Sequence, residues 1–161
     1  MSAAATVARP AGALNRLAFS ATVHCLTGCA IGEVLGMVIG TALGLSNLAT
    51  IVLAVVLAFA FGYGLTSLPL LRSGMALGAV VPLALASDTA SIATMEVVDN
   101  AIVLLIPGAM DLGLGVIGFW ASLAAALVIA GAVAFPVNRD RSARGRGHAV
   151  VHAHHGHAHT H

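Results

Sequence analysis

Lysine is absent from the 161 residues, charged side chains of all kinds make up 8%, and aromatic residues amount to 4% with one tryptophan and one tyrosine. A soluble domain carries about 25% charged residues, so this composition excludes a globule that meets water on every side. With a formal net charge of +1 and no basic surface, a nucleic-acid partner is excluded as well. No phosphate-binding loop and no serine triad is present. The chain has only two cysteines, Cys25 and Cys29, both in an apolar stretch, which excludes a secreted disulfide scaffold. Four residues apart on a helix, their Cα atoms are separated by roughly 6 Å, at the long end of disulfide geometry, so a bridge between them is not favoured.

What the chain has instead is apolar length: 59% of its residues are hydrophobic. Four runs, 17–45, 48–71, 75–106 and 112–135, are separated by Ser46-Asn47, Ser73-Gly74 and Pro107-Gly108, and the last stops at Pro136 and Asn138. At about 1.5 Å per residue each crosses a hydrocarbon layer of about 30 Å. The expected fold is all-α: a four-transmembrane-helix bundle with short turns at 17–138. A flexible leader at 1–16 precedes it, and a basic, then His-rich tail at 139–161 follows. All seven basic residues are arginines, Arg9, Arg16, Arg72, Arg139, Arg141, Arg144 and Arg146. Four spans put all of them on one side, and the positive-inside rule makes that side, with both termini, cytoplasmic.

The first span carries two stripes of residues four apart. His24, Gly28, Gly32, Gly36, Gly40 and Gly44 form a nearly side-chain-free groove that invites close helix packing. About 100° round the helix lie Cys25, Cys29, Glu33, Met37 and Thr41. An acidic group at mid-helix costs roughly 2.5 to 3.5 kcal/mol on insertion scales, so the second stripe should face protein rather than lipid. In the third span Asp88, Ile92, Met95, Glu96, Asp99 and Asn100 share a broad face. Pro82, about a turn and a half before it, is expected to loosen the helix and free backbone carbonyls for an ion. Glu33 lies 17 residues beyond Arg16 and Asp88 lies 16 beyond Arg72, which predicts similar depth for the two acids if those arginines mark one membrane face. The first and third helices are then expected to lie adjacent and parallel.

Glu33, Asp88, Glu96 and Asp99 have no basic partner within their own spans, and unpaired carboxyls in a low dielectric take up protons or bind a cation. His24, Cys25, Cys29 and Glu33 make a nitrogen, sulfur and oxygen donor set that suits copper or zinc. Met37, Met95 and Met110 read first as packing, and Met95, beside Glu96, is kept among the candidate ligands. The candidate metal residues are therefore His24, Cys25, Cys29, Glu33, Asp88, Met95, Glu96 and Asp99. The tail from His148 to His161 holds seven of the eight histidines; it lacks the hydrophobic content to fold, and its imidazoles would gather transition metals. The arginines from Arg139 to Arg146 should anchor the last helix at anionic headgroups.

Several of these stretches, His24-Cys-Leu-Thr-Gly-Cys-Ala-Ile-Gly-Glu33, Ser87-Asp-Thr-Ala-Ser-Ile92, Met95-Glu96 with Asp99-Asn100, Pro107-Gly-Ala-Met-Asp111 and Arg146-Gly-His-Ala-Val150, resemble the DUF4396 family of bacterial and archaeal membrane proteins. The resemblance implies a compact helical membrane domain and supplies no reaction. Three functions are open. The first is cation binding and transport, with a transition metal as the expected ion. The second is a scaffold subunit that docks a partner on the glycine stripe. The third is a thiol oxidoreductase using Cys25 and Cys29. Besides the lipid bilayer and the metal ion, the expected partner is a second copy or another membrane protein, since four spans are few for a transport path.

Overall fold

A computed structural model of the chain describes residues 10–106 and 113–144. The first part of the leader, the turn holding Asp111 and the histidine tail lie outside the described residues. Within them the chain forms four helices, α1 (Ala11–Ala42), α2 (Asn47–Arg72), α3 (Leu77–Leu105) and α4 (Ile117–Ala143), with no strand. All four are long and apolar enough to cross a membrane. Leu43, Leu48, Val97, Leu104 and Val128 lie largely exposed on the outer surface, as expected of side chains facing lipid in a multi-pass membrane protein.

The first two helices end by the same device. Gly44 and Gly74 adopt φ of 64° and 88°, a left-handed conformation that costs glycine little. After α1, the Gly44 amide donates to the Thr41 carbonyl and the Leu45 amide to the Gly40 carbonyl; Gly74 and Met75 donate to Leu71 and Leu70 in the same pattern. Each pair satisfies carbonyls the helix would leave unbonded. Gly44 therefore ends the glycine stripe outside the helix rather than extending it. Ser46 caps α2 by accepting from the Ala49 amide.

Consecutive helices run antiparallel, and each buries a row of mostly small residues four apart. In α2 the row is Ala54, Ala58, Gly62, Thr66 and Leu70, and in α4 it is Ala126, Ala130, Ala134, Asn138 and Ser142. Gly28, Gly32 and Gly36 of α1 lie against the backbone of Gly62, Ala58 and Ala54, and Gly40 lies against Thr50. A β-carbon on Gly28 would stand 2.7 Å from the Gly62 Cα, closer than any real side chain tolerates. The stripe read from the sequence thus packs inside the bundle. With α2 on this face, α1 turns its Cys25, Cys29 and Glu33 face toward α3, while Leu26 and Thr22 meet Gly131 and Asn138 of α4.

The helix limits differ from the expected ones. α1 begins at Ala11, inside the segment read as a leader, and α4 continues through Pro136 to Ala143. α3 passes unbroken through Pro82, so no broken helix forms beside the acids. α1 and α3 run parallel but meet across the middle of the bundle, with α2 and α4 packed between them on either side. Arg16, Arg72, Arg139, Arg141 and Arg144 all fall at one end, hereafter the arginine end.

Replacing Gly32 with leucine should drive a side chain into the Ala58 backbone and destabilise the bundle by about 3 kcal/mol or more, above the usual overpacking cost because backbone cannot move aside. Gly64 has open space around it, so Gly64→Ala should leave stability within about 0.5 kcal/mol. Thermal unfolding in detergent, followed by circular dichroism, measures both.

Candidate functional site

The inward faces of α1 and α3 bring acids and thiols into one column. Glu33 and Asp99 each lie 22 residues from the start of their helix, and their carboxyls face each other, with Glu96 beside both. All three residues are buried, at 3 to 4% exposure. No hydroxyl, amide or ring donor reaches either oxygen of Glu33, either oxygen of Glu96, or Asp99 Oδ1. Burying such groups without donors costs several kcal/mol in general, so this cluster calls for a positive species or for protons.

The cluster opens on a cavity of about 40 Å³ lined by Glu33, Asp99, Met37, Thr50, Asn100 and Leu123 among others. At about 15 Å³ per water it holds two or three waters, or one small ion with part of its shell. A second cavity, of about 100 Å³, shares Met37 and Thr50 as walls and reaches Asn47, Gly113 and Phe119 at the end away from the arginines. The first cavity touches Glu33 and Asp99, and the second lies beyond Met37 and Thr50 toward that end.

Asp88 belongs to a different station. It lies level with Cys25 rather than with Glu33, roughly 17 Å along α3 from Asp99. The arginine marks fail because Arg16 sits five residues inside α1 whereas Arg72 sits five residues before α3. Glu33 and Asp88 therefore share no cavity. Asp88 is also partnered: Ser87 Oγ donates to its Oδ1 at 2.8 Å, Thr66 is within hydrogen-bonding reach, and His24 and Arg141 stand within electrostatic range. His24 Nε2 lies 2.8 Å from Thr66 Oγ1, so the imidazole turns toward α2. Arg141 comes from α4, beyond the apolar run, and donates to the Ala86 carbonyl. At least this member of the arginine segment points into the bundle, where the sequence suggested headgroups.

Between the two stations lie the thiols. Cys29 neighbours Glu96 and Glu33, and Cys25 neighbours Asp88 and Ser91. Both are free and pack with Met95, Ile92, Ala58, Ala130 and Ala134 in the apolar core. Met95 packs in this cluster beside both thiols, whereas the His24 imidazole turns away to Thr66. Among the described residues no three of His, Cys, Asp and Glu are disposed to hold a metal ion. The chain belongs to the DUF4396 family. The match to this domain of unknown function covers residues 14–147. No curated protein and no solved structure matches the chain.

Three residues that position the DUF4396 column were not read as site residues from the sequence. Thr66 joins His24 to Asp88, Arg141 approaches Asp88, and Asn138 ties three helices together. The Asn138 amide nitrogen donates to Thr22 Oγ1 at 3.0 Å and to Ser91 Oγ at 2.9 Å. The four-residue spacing from Ala126 to Ser142 is the signal that places Asn138 on the buried face of a continuing helix.

The thiol oxidoreductase reading requires access, and Cys25 and Cys29 are 1% and 0% exposed. A water-soluble maleimide should label neither in the folded protein and both after unfolding; rapid labelling of the native form, read by mass spectrometry, would contradict this burial. Asn138→Ala should cost about 1 to 3 kcal/mol, the range for stranding buried polar partners, in the same unfolding assay.

Proposed function

We propose that this chain binds a cation in the plane of the membrane at Glu33, Glu96 and Asp99, and that it exchanges that cation with the medium at the end away from the arginines. The observation that carries the reading is a set of five buried oxygens, from Glu33, Glu96 and Asp99 on two helices, that no hydroxyl, amide or ring donor reaches. Intramembrane ionisable groups in such positions mark ion and proton pathways. The cavity lined by Glu33 and Asp99, with the second one beyond Met37 and Thr50, supports entry from that end. The positive-inside rule orients the arginine end toward the cytoplasm of a bacterial or archaeal cell.

Oxygen donors alone favour a proton or a hard ion over copper or zinc, and since no three of these side chains are disposed to hold a bare metal ion, the reading is of a proton, or of an ion that keeps part of its water shell, in place of the metal expected from the thiols. The scaffold reading has less support, because α2 already covers Gly28, Gly32, Gly36 and Gly40.

Thermal stability of the purified chain should rise with one cation of a series running from sodium through magnesium and manganese to zinc, or with a change of pH alone. At a concentration about 100 times Kd the gain is about 2.7 kcal/mol, and Glu33→Gln and Asp99→Asn should abolish it. A metal-ion gain should weaken as pH falls, since protons compete for the same oxygens. Removing residues 148–161 should leave the gain intact, separating it from metal held by the tail. Equal responses of wild type and both variants to every cation and pH would remove the proposal.

A further inference from the structure

The outer surface of the bundle carries, at the arginine end, a groove that takes no part in the cation site. It runs between the start of α1 and the last turns of α4, has a volume of about 530 Å³ and is lined by Asn15, Arg16, Phe19, Ser20 and Phe135. That volume falls within the range of about 300 to 1,000 Å³ typical of ligand sites. Arg139 stands at the rim, where its Nε donates to Asn15 Oδ1 at 2.8 Å.

The lining is ordered by depth. Arg16 and Arg139 lie nearest the end of the bundle. At 1.5 Å per residue, Phe19 sits about 4.5 Å further in along α1 and Phe135 about 6 Å further in along α4. Phe19 is 64% exposed. A cationic layer therefore lies toward the medium and an aromatic layer toward the bilayer interior, the order in which a lipid presents its head and its tail.

The charges of this groove are available to such a head. Arg144 pairs with Asp140 and Arg141 donates to the Ala86 carbonyl, whereas Arg16 and Arg139 have no acidic partner among the described residues. A guanidinium presents a planar fork of donors that matches phosphate oxygens. Basic pockets between membrane helices are recurrent sites for anionic headgroups.

We propose that this groove binds one anionic phospholipid, its phosphate held by Arg16 and Arg139 and an acyl chain laid over Phe19 and Phe135. Charge chooses the lipid class. A headgroup of net negative charge complements both guanidiniums, while the ammonium of a zwitterionic headgroup is repelled by them. The aromatic layer chooses a lipid over free phosphate, which gains nothing from it. Bridging α1 to α4, the lipid stabilises the bundle at this end, whether or not Glu33, Glu96 and Asp99 take a cation.

Native mass spectrometry of the full chain in detergent, with phosphatidylglycerol or phosphatidylcholine added, counts the lipid retained. Wild type should hold one phosphatidylglycerol at least about fivefold more strongly than phosphatidylcholine, and Arg16→Gln and Arg139→Gln should each weaken it about fivefold, the factor expected of one basic residue near an anionic surface. Either variant suffices where the other does not fold. Ser20→Trp, which places a bulky ring in the groove and removes no charge, should weaken retention as well. Arg72→Gln removes an arginine at the same end but outside the groove and should leave retention unchanged. Phosphatidylglycerol should also raise the thermal stability of wild type, and inorganic phosphate should not. Equal retention of the two lipids, groove variants that retain lipid like wild type, or an equal loss with Arg72→Gln overturns the site. Inorganic phosphate as effective as the lipid, or a lipid-free dimer that Ser20→Trp abolishes, gives the groove to another occupant and overturns it too.

Discussion

The close approach of α1 and α2 governs everything else in this bundle. Lipid offers helices no hydrophobic reason to associate, so contact must come from backbones that fit together. Gly28, Gly32, Gly36 and Gly40 provide that fit against α2. Once this face of α1 is taken, the stripe about 100° away can only turn inward. Cys25, Cys29 and Glu33 thereby meet α3, and a feature of packing becomes a feature of chemistry. The remaining side of α1 closes on α4 through Thr22 and Asn138.

The interior that results is unusually polar at its ends and apolar between them. Toward the arginines, hydroxyls, an imidazole and a guanidinium surround Asp88; toward the other end three carboxyls meet, and no hydroxyl, amide or ring donor reaches five of their six oxygens. The first arrangement is an ordinary solution to a buried acid, with partners drawn from every neighbouring helix. The second is not, and its cost is offset once protons or a positive species neutralise the carboxylates. That contrast is why Glu33, Glu96 and Asp99, rather than Asp88, carry the functional reading.

Much of this was legible in the sequence because bilayer physics leaves few choices. Apolar length gave four helices, and four-residue spacing gave both stripes of α1. The inward turn of Glu33 followed from the cost of exposing an acid to lipid. The register between α1 and α3 was not legible, since a residue near a helix end can sit inside the helix, as Arg16 does, or at the end of the preceding one, as Arg72 does. That offset moved the partner of Glu33 from Asp88 to Asp99. Pro136 and Asn138 read as a stop, whereas proline in a helix bounded by other helices is tolerated and α4 runs on to bring in Arg141. The partners of Asp88 come from sequence-distant helices, and no local pattern announces them.

The account depends above all on Glu33 meeting Asp99 rather than Asp88, and cross-linking tests that pairing most directly. In a chain bearing Cys25→Ala and Cys29→Ala, the pair Glu33→Cys with Asp99→Cys should be joined by a short bifunctional thiol reagent in the membrane, while Glu33→Cys with Asp88→Cys should not. Joining of the second pair and not the first would contradict the register on which the whole site is built.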